Sequence, residues 1–122
     1  FLHFVDFSGA DLAEIDFTNL TFTFCNFNGA NLNNISWNAI GFVGCTFDDA
    51  KFANSNFVDS FFQEVSFRNT EMIDGSFKQV VFFGPIDLSN ADLQGTLFDE
   101  ISMLGDITLN SCLPYPFNQL CN

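Results

Sequence analysis

The chain has 122 residues, 48% of them apolar, with fifteen acids against three bases and a net charge of −12. That is one domain's length with enough apolar residue for a core, and its charge disfavours nucleic-acid phosphates and anionic lipid headgroups as ligands. No apolar run approaches the roughly 18 residues that cross a bilayer.

The chain opens FLHFVDF, without Met and already in the five-residue rhythm of the rest of the chain, as expected of an excised fragment or a processed chain. From Leu2, every fifth residue is large and apolar: Phe7, Leu12, Phe17, Phe22, Phe27, Leu32, Trp37, Phe42, Phe47, Phe52, Phe57, Phe62, Phe67, Met72, Phe77 and Phe82. Two places before each stands a second row of mostly small or β-branched residues, from Val5, Ala10 and Ile15 to Val80. Positions two apart in extended backbone share a side, so both rows are predicted to face one interior. Two places after the centre Gly, Asn or Asp recurs (Gly9, Asn19, Gly29, Asn34, Asp49, Asn54, Asp59, Asn69, Asp74), residue types that tolerate tight turns. A short extended piece and a corner every five residues describe a square coil. Stacked coils pair their backbones about 4.8 Å apart and fill the axis with side chains.

The phase breaks once, by a six-residue step from Phe82 to Leu88 across Gly84-Pro85, and resumes at Leu93, Phe98 and Met103. The Gly-Pro pair predicts a bulged corner. Residues 1–105 are therefore expected to form the repeat, and 106–122 a final partial coil and a non-repeating end cap, LPYPFNQLCN.

ADLAE (10–14), ANLNN (30–34) and ADLQG (91–95) match A(D/N)LXX. In these residues the chain resembles the pentapeptide-repeat family over roughly residues 1 to 105. The resemblance implies an all-β fold, a right-handed quadrilateral β-helix of about five coils. Some quinolone-resistance members imitate duplex DNA and occupy type II topoisomerases, so it also implies an alternative function, an acidic DNA mimic. Five coils span about 24 Å, and B-DNA of that length carries about 14 charges. The acids here, however, spread over three faces and are interrupted by Lys51, Arg68 and Lys78.

With four quintets per coil, residues about twenty apart share a face. Three faces are outwardly polar. The fourth, centred on Leu2, Phe22, Phe42, Phe62, Phe82 and Met103, carries Phe1, Phe4, Phe24, Val43, Phe61, Val81, Phe83 and Leu104 outward, with Glu64 the only charge. Every repeat-region Phe that is not a core centre falls there. A contiguous apolar strip of this kind marks an interaction site, covered by a protein partner, a second copy or a flanking domain of the same chain.

Candidate chemistry is sparse. Cys25 and Cys45 are predicted inward, one coil apart, as buried thiols; parallel side chains suit a disulfide poorly and no His adjoins them to complete a metal site. Cys112 and Cys121 flank the cap and could close a loop, stabilising it by about 2–3 kcal/mol and pointing to an oxidising compartment. The single His, His3, stands on the first coil, so a Ser-His or Cys-His nucleophile is expected to lack its base. The adjacent acids Asp48-Asp49 and Asp99-Glu100 fall at corners where neighbours diverge. The glycosylation patterns at Asn19 and Asn34 are common by accident. The expectation is a non-enzymatic interaction scaffold without cofactor or metal.

Overall fold

The computed structural model describes residues 2–108. Twelve strands of two or three residues follow one another: β1 (Leu2–His3), β2 (Thr21–Thr23), β3 (Ser36–Asn38), β4 (Gly41–Val43), β5 (Asn56–Val58), β6 (Phe61–Gln63), β7 (Ser76–Lys78), β8 (Val81–Phe83), β9 (Ile86–Asp87), β10 (Leu97–Asp99), β11 (Ser102–Leu104) and β12 (Ile107–Thr108). All pairings are parallel. One wall is the sheet β1-β2-β4-β6-β8-β11 and another β10-β7-β5-β3, with β12-β9 as a third, two-stranded sheet. Two walls are carried mainly by isolated bridges, Asp6–Asn26–Thr46–Ser66–Asp87 and Asp11–Asn31–Lys51–Glu71–Asp92. The result is a four-walled parallel β-solenoid of about five coils.

The partners Phe22–Phe42–Phe62 and Trp37–Phe57–Phe77 lie twenty residues apart, so the five-residue period closes a turn after four steps. Both inward rows are buried through the middle coils, from Phe27 and Ala30 to Phe77 and Val80. Centres stack on centres at the rise of a coil. Phe7, Phe27, Phe47 and Phe67 lie 4.9, 4.7 and 5.3 Å apart with near-parallel rings, and Phe22, Phe42, Phe62 and Phe82 at 5.4, 4.9 and 5.4 Å. Among the described residues the buried side-chain polar atoms are paired, as burial requires. The Trp37 Nε1 donates to the Ile15 carbonyl at 2.8 Å, the Ser55 hydroxyl to Phe52 and that of Thr70 to Phe67.

Turn chemistry differs between the corners. After Phe7, Phe27, Phe47 and Phe52 the chain makes a β-turn closed by a bond from the fourth residue's N–H to the centre's carbonyl, as from Ala30 to Phe27 at 3.1 Å. The third residue of these turns has positive φ and is Gly9 (68°), Gly29 (69°), Asp49 (63°) or Asn54 (59°), the types that conformation favours. The other two corner columns also adopt positive φ but mix Asn19, Asp59, Gly44 and Gly105 with Ala39, Glu64, Gln79, Glu100, Phe4 and Phe24. The expected Gly, Asn or Asp thus stands at Asn19, Asp59 and Gly44, while at the bulkier residues of these columns the register of the neighbouring coils imposes a conformation that they disfavour.

Two further differences concern the ends. Ile15, expected inward, is 41% exposed, because no described coil stacks beneath the first one. The phase also breaks twice. Asp87 pairs beside Ser66, and Ile107 pairs with Ile86, both twenty-one residues apart, so the corner after Met103 repeats the extra residue of the Gly84-Pro85 corner. There the backbones nearly touch. A Cβ on Gly84 would stand 2.4 Å from the Asp106 carbonyl oxygen, so only glycine fits.

Candidate interaction surface

The six-stranded sheet sets out the apolar strip. Leu2, Phe22, Phe42, Phe62, Phe82 and Met103 lie in one register row and point to the core. Alternation along each short strand then turns two rows outward. One is Thr21, Gly41, Phe61, Val81 and Ser102; the other is His3, Thr23, Val43, Gln63, Phe83 and Leu104. A third column, Phe4, Phe24, Gly44 and Glu64, occupies the adjoining corner.

Phe4 is 69% exposed, Phe24 53% and Phe83 47%; Phe61, Val81 and Leu104 are also exposed, while Val43 is half-buried. Phe1 lies outside the described residues. Gln63 and Glu64 interrupt two of the strip's three columns between Val43 and Phe83, while Phe61, over Gly41 and beside Val81, carries the third across.

The rings pack on their own coils. Those of Phe4 and Phe24 stack with centroids 5.5 Å apart and planes 18° apart, and the His3 ring meets Phe4 edge-on at 4.0 Å while its Nδ1 hydrogen-bonds the Thr23 hydroxyl. Phe24 covers Gly44, and Phe61 covers Gly41, where a Cβ would come within 2.3 Å of the ring. Phe4 and Phe24 hold φ of 57° and 53°, a region bulky side chains rarely enter. Strain of this kind collects at functional positions. None of these packing relations is visible without the coil register. Leu97, 67% exposed in β10, was also missed; it stands alone among Ser36, Asn56 and Ser76 in its row.

Cys25 and Cys45 are buried and unbridged; the Cys45 thiol donates to the Phe22 carbonyl at 3.3 Å, and burial pushes its pKa up to about 12. Cys112 and Cys121 lie outside the described residues. Asp48 is engaged as a loop acceptor, taking bonds from the Ser66 hydroxyl at 2.5 Å and the Arg68 N–H at 3.0 Å. The Ser8 hydroxyl and backbone N–H hold the Asp6 carboxyl below its usual range. Among the described residues no group of three or more His, Cys, Asp or Glu is placed to hold a metal, and no helix is long and apolar enough to cross a membrane.

A family model described as pentapeptide repeats matches residues 2–36 and 45–82 in eight copies. No curated relative matches the sequence. Among solved structures, a trypsin-treated form of QnrB1, a plasmid-mediated fluoroquinolone resistance protein, superposes with a TM-score of 0.66 at 20% identity, over 82% of this chain and 52% of that one. Full-length QnrB1 gives 0.64 at 20% identity over 75% and 47%. HetL, a pentapeptide repeat protein involved in heterocyst differentiation regulation in the cyanobacterium Nostoc, gives 0.62 at 15% identity over 80% and 48%. The chain thus spans about half the length of these proteins, and the likeness is one of fold.

Proposed function

Because the chain belongs to the pentapeptide-repeat family, we propose that it is a non-enzymatic scaffold, a rigid rod that presents its Phe-rich strip to a protein partner. The observation that carries this reading is the segregation of exposed aromatic rings. Phe4, Phe24, Phe61 and Phe83 all stand on the six-stranded wall and its corner, while the other walls expose mainly Asn, Ser, Asp and Thr. Exposed aromatic anchors of this type supply most of the affinity in protein interfaces. The test is a Phe24→Ser, Phe61→Ser double variant, compared with the parent by light scattering and solubility. A change in association or solubility with an unchanged far-UV spectrum supports the reading; no change in either removes it.

The net charge of −12 and the fold likeness to a fluoroquinolone resistance protein favour a second reading, an acidic DNA mimic acting on a type II topoisomerase. Duplex DNA presents regularly spaced charges. Here, among the described residues, only Glu71 and Asp92 set two carboxylates at paired positions on consecutive coils, and Asp99 faces Lys78. A gyrase supercoiling assay separates the readings: inhibition at low salt, relieved by added salt, belongs to the mimic alone.

A further inference from the structure

We propose that the occupant of the strip is a cationic amphipathic α-helix of about four turns, carried by a partner protein; this rests on the reading of the strip as an interaction surface. The strip offers a partner side chains only. Its corner N–H groups are already bonded to the next coil, Phe4 to Thr23, Phe24 to Val43, Gly44 to Gln63 and Glu64 to Phe83, at 2.8–3.0 Å. An extended segment laid on this face would bury backbone groups without partners. A helix satisfies its own backbone and needs only an apolar side.

Charge selects the helix. Asp59 and Glu100 line one long edge of the strip, Glu64 and Asp106 the other, all exposed. The three bases do not offset them. Lys51 is on the opposite wall, Arg68 lies 3.8 Å from Asp87, and Lys78 is in register with Asp99. A second copy would bring acid edge against acid edge, each on a chain of charge −12, which costs affinity. Lys and Arg flanking an apolar stripe complement the edges and cover the rings with their stems.

The dimensions agree. From His3 to Leu104 the wall rises five coils, about 24 Å, the length of about 16 helical residues. Its width, about three extended residues, is roughly 10 Å, a helix diameter. Phe24 and Phe83 are three coils apart, so the helix is expected to carry two apolar clusters about ten positions apart, with a base between them facing Glu64.

The experiment uses labelled helical peptides of about 18 residues and fluorescence anisotropy on the full chain. One peptide has apolar clusters flanked by Lys, a second the same clusters flanked by Glu, a third the Lys flanks with the apolar side changed to Gln and Ser. The first is expected to bind at least about tenfold tighter than either of the others and to weaken with salt. Replacing edge charges (Asp59→Asn, Glu64→Gln, Glu100→Gln) is expected to weaken it several-fold, and the same charge change on the far walls (Glu14→Gln, Glu71→Gln, Asp92→Asn) to leave it unaltered. Equal binding of the Lys and Glu peptides, or equal loss from the two sets of charge changes, overturns the proposal. If a Phe24→Asn, Phe83→Ser variant abolishes self-association while no peptide binds, a second copy is the occupant and only the helix falls. If that variant changes neither assay, the reading of the strip falls with it.

Discussion

The Phe24 ring covers Gly44, so close that a Cβ on the glycine would stand 2.6 Å from the ring. Both residues hold positive φ, 53° and 66°. The glycine costs nothing in that conformation; the phenylalanine does. The pair is a floor and a tile, in which the missing side chain of one coil makes room for the ring of the previous coil.

The floor is testable by refilling it. Gly44→Ala is expected to lower unfolding free energy by about 1–2 kcal/mol for the left-handed backbone, plus the displacement of the Phe24 ring. Gly29 has a similar φ of 69°, but its nearest outside atom is 4.0 Å from a built Cβ, so Gly29→Ala reports the backbone cost alone. Urea midpoints of the two variants should differ in that order, and adding Phe24→Ala to Gly44→Ala should erase the excess. Equal midpoints from the two single changes would show that the ring yields freely.

The tile itself makes a second prediction. Asn enters the left-handed region more readily than Phe, so Phe24→Asn relieves the backbone while losing the stack on Phe4. The two effects oppose at about 1 kcal/mol each, and thermal stability should barely move. Partner binding or self-association should fall by about tenfold or more. A large loss of stability instead would make Phe24 a structural residue.

The wall-and-corner plan was legible because its cause is local in sequence: one large residue in five fills one step of the axis, so Phe27, Leu32, Trp37 and Phe42 announce four walls. Burial of Cys25, Cys45, Ser55 and Ser60 followed from the same count. What the count could not show depends on contacts between coils. Glycine at 41 and 44 reads as an ordinary break in a repeat until Phe61 and Phe24 are seen above them. The second six-residue corner was hidden because Gly105-Asp106 lacks the proline that flagged Gly84-Pro85. The interruption of two columns of the strip by Gln63 and Glu64 needed the outward rows in register.

The stacked centres predict an uneven cost of mutation. Phe47 sits between Phe27 at 4.7 Å and Phe67 at 5.3 Å and is fully buried. Phe47→Ala is expected to cost about 3–5 kcal/mol. Phe83→Ser, on the exposed strip, is expected to cost less than about 1 kcal/mol. Equilibrium denaturation of both variants checks the ratio, and comparable losses would contradict the inward and outward assignment of the two rows.

The last prediction concerns pH and rests on Cys45. Its thiol is 1% exposed, its hydrogen bond runs to the Phe22 carbonyl, and burial raises its pKa from 9.0 to about 12. An unfolded chain releases this proton above about pH 9, the folded chain only near pH 12. Between those values the unfolded state binds fewer protons than the folded one, so stability falls as pH rises; below about pH 9 the group contributes no pH dependence. Urea midpoints at about pH 8 and about pH 10.5, taken on the parent and on Cys45→Ala, isolate this group, since every other titrating side chain is common to both. The parent should lose more stability across the interval than the variant does. In the same alkaline window alkylation of Cys45 should proceed only as fast as the chain opens, because the thiolate that reacts forms in the unfolded state. A parent and variant with identical pH slopes, or rapid alkylation of folded protein at about pH 9, would mean that the Cys45 side chain reaches solvent between the coils.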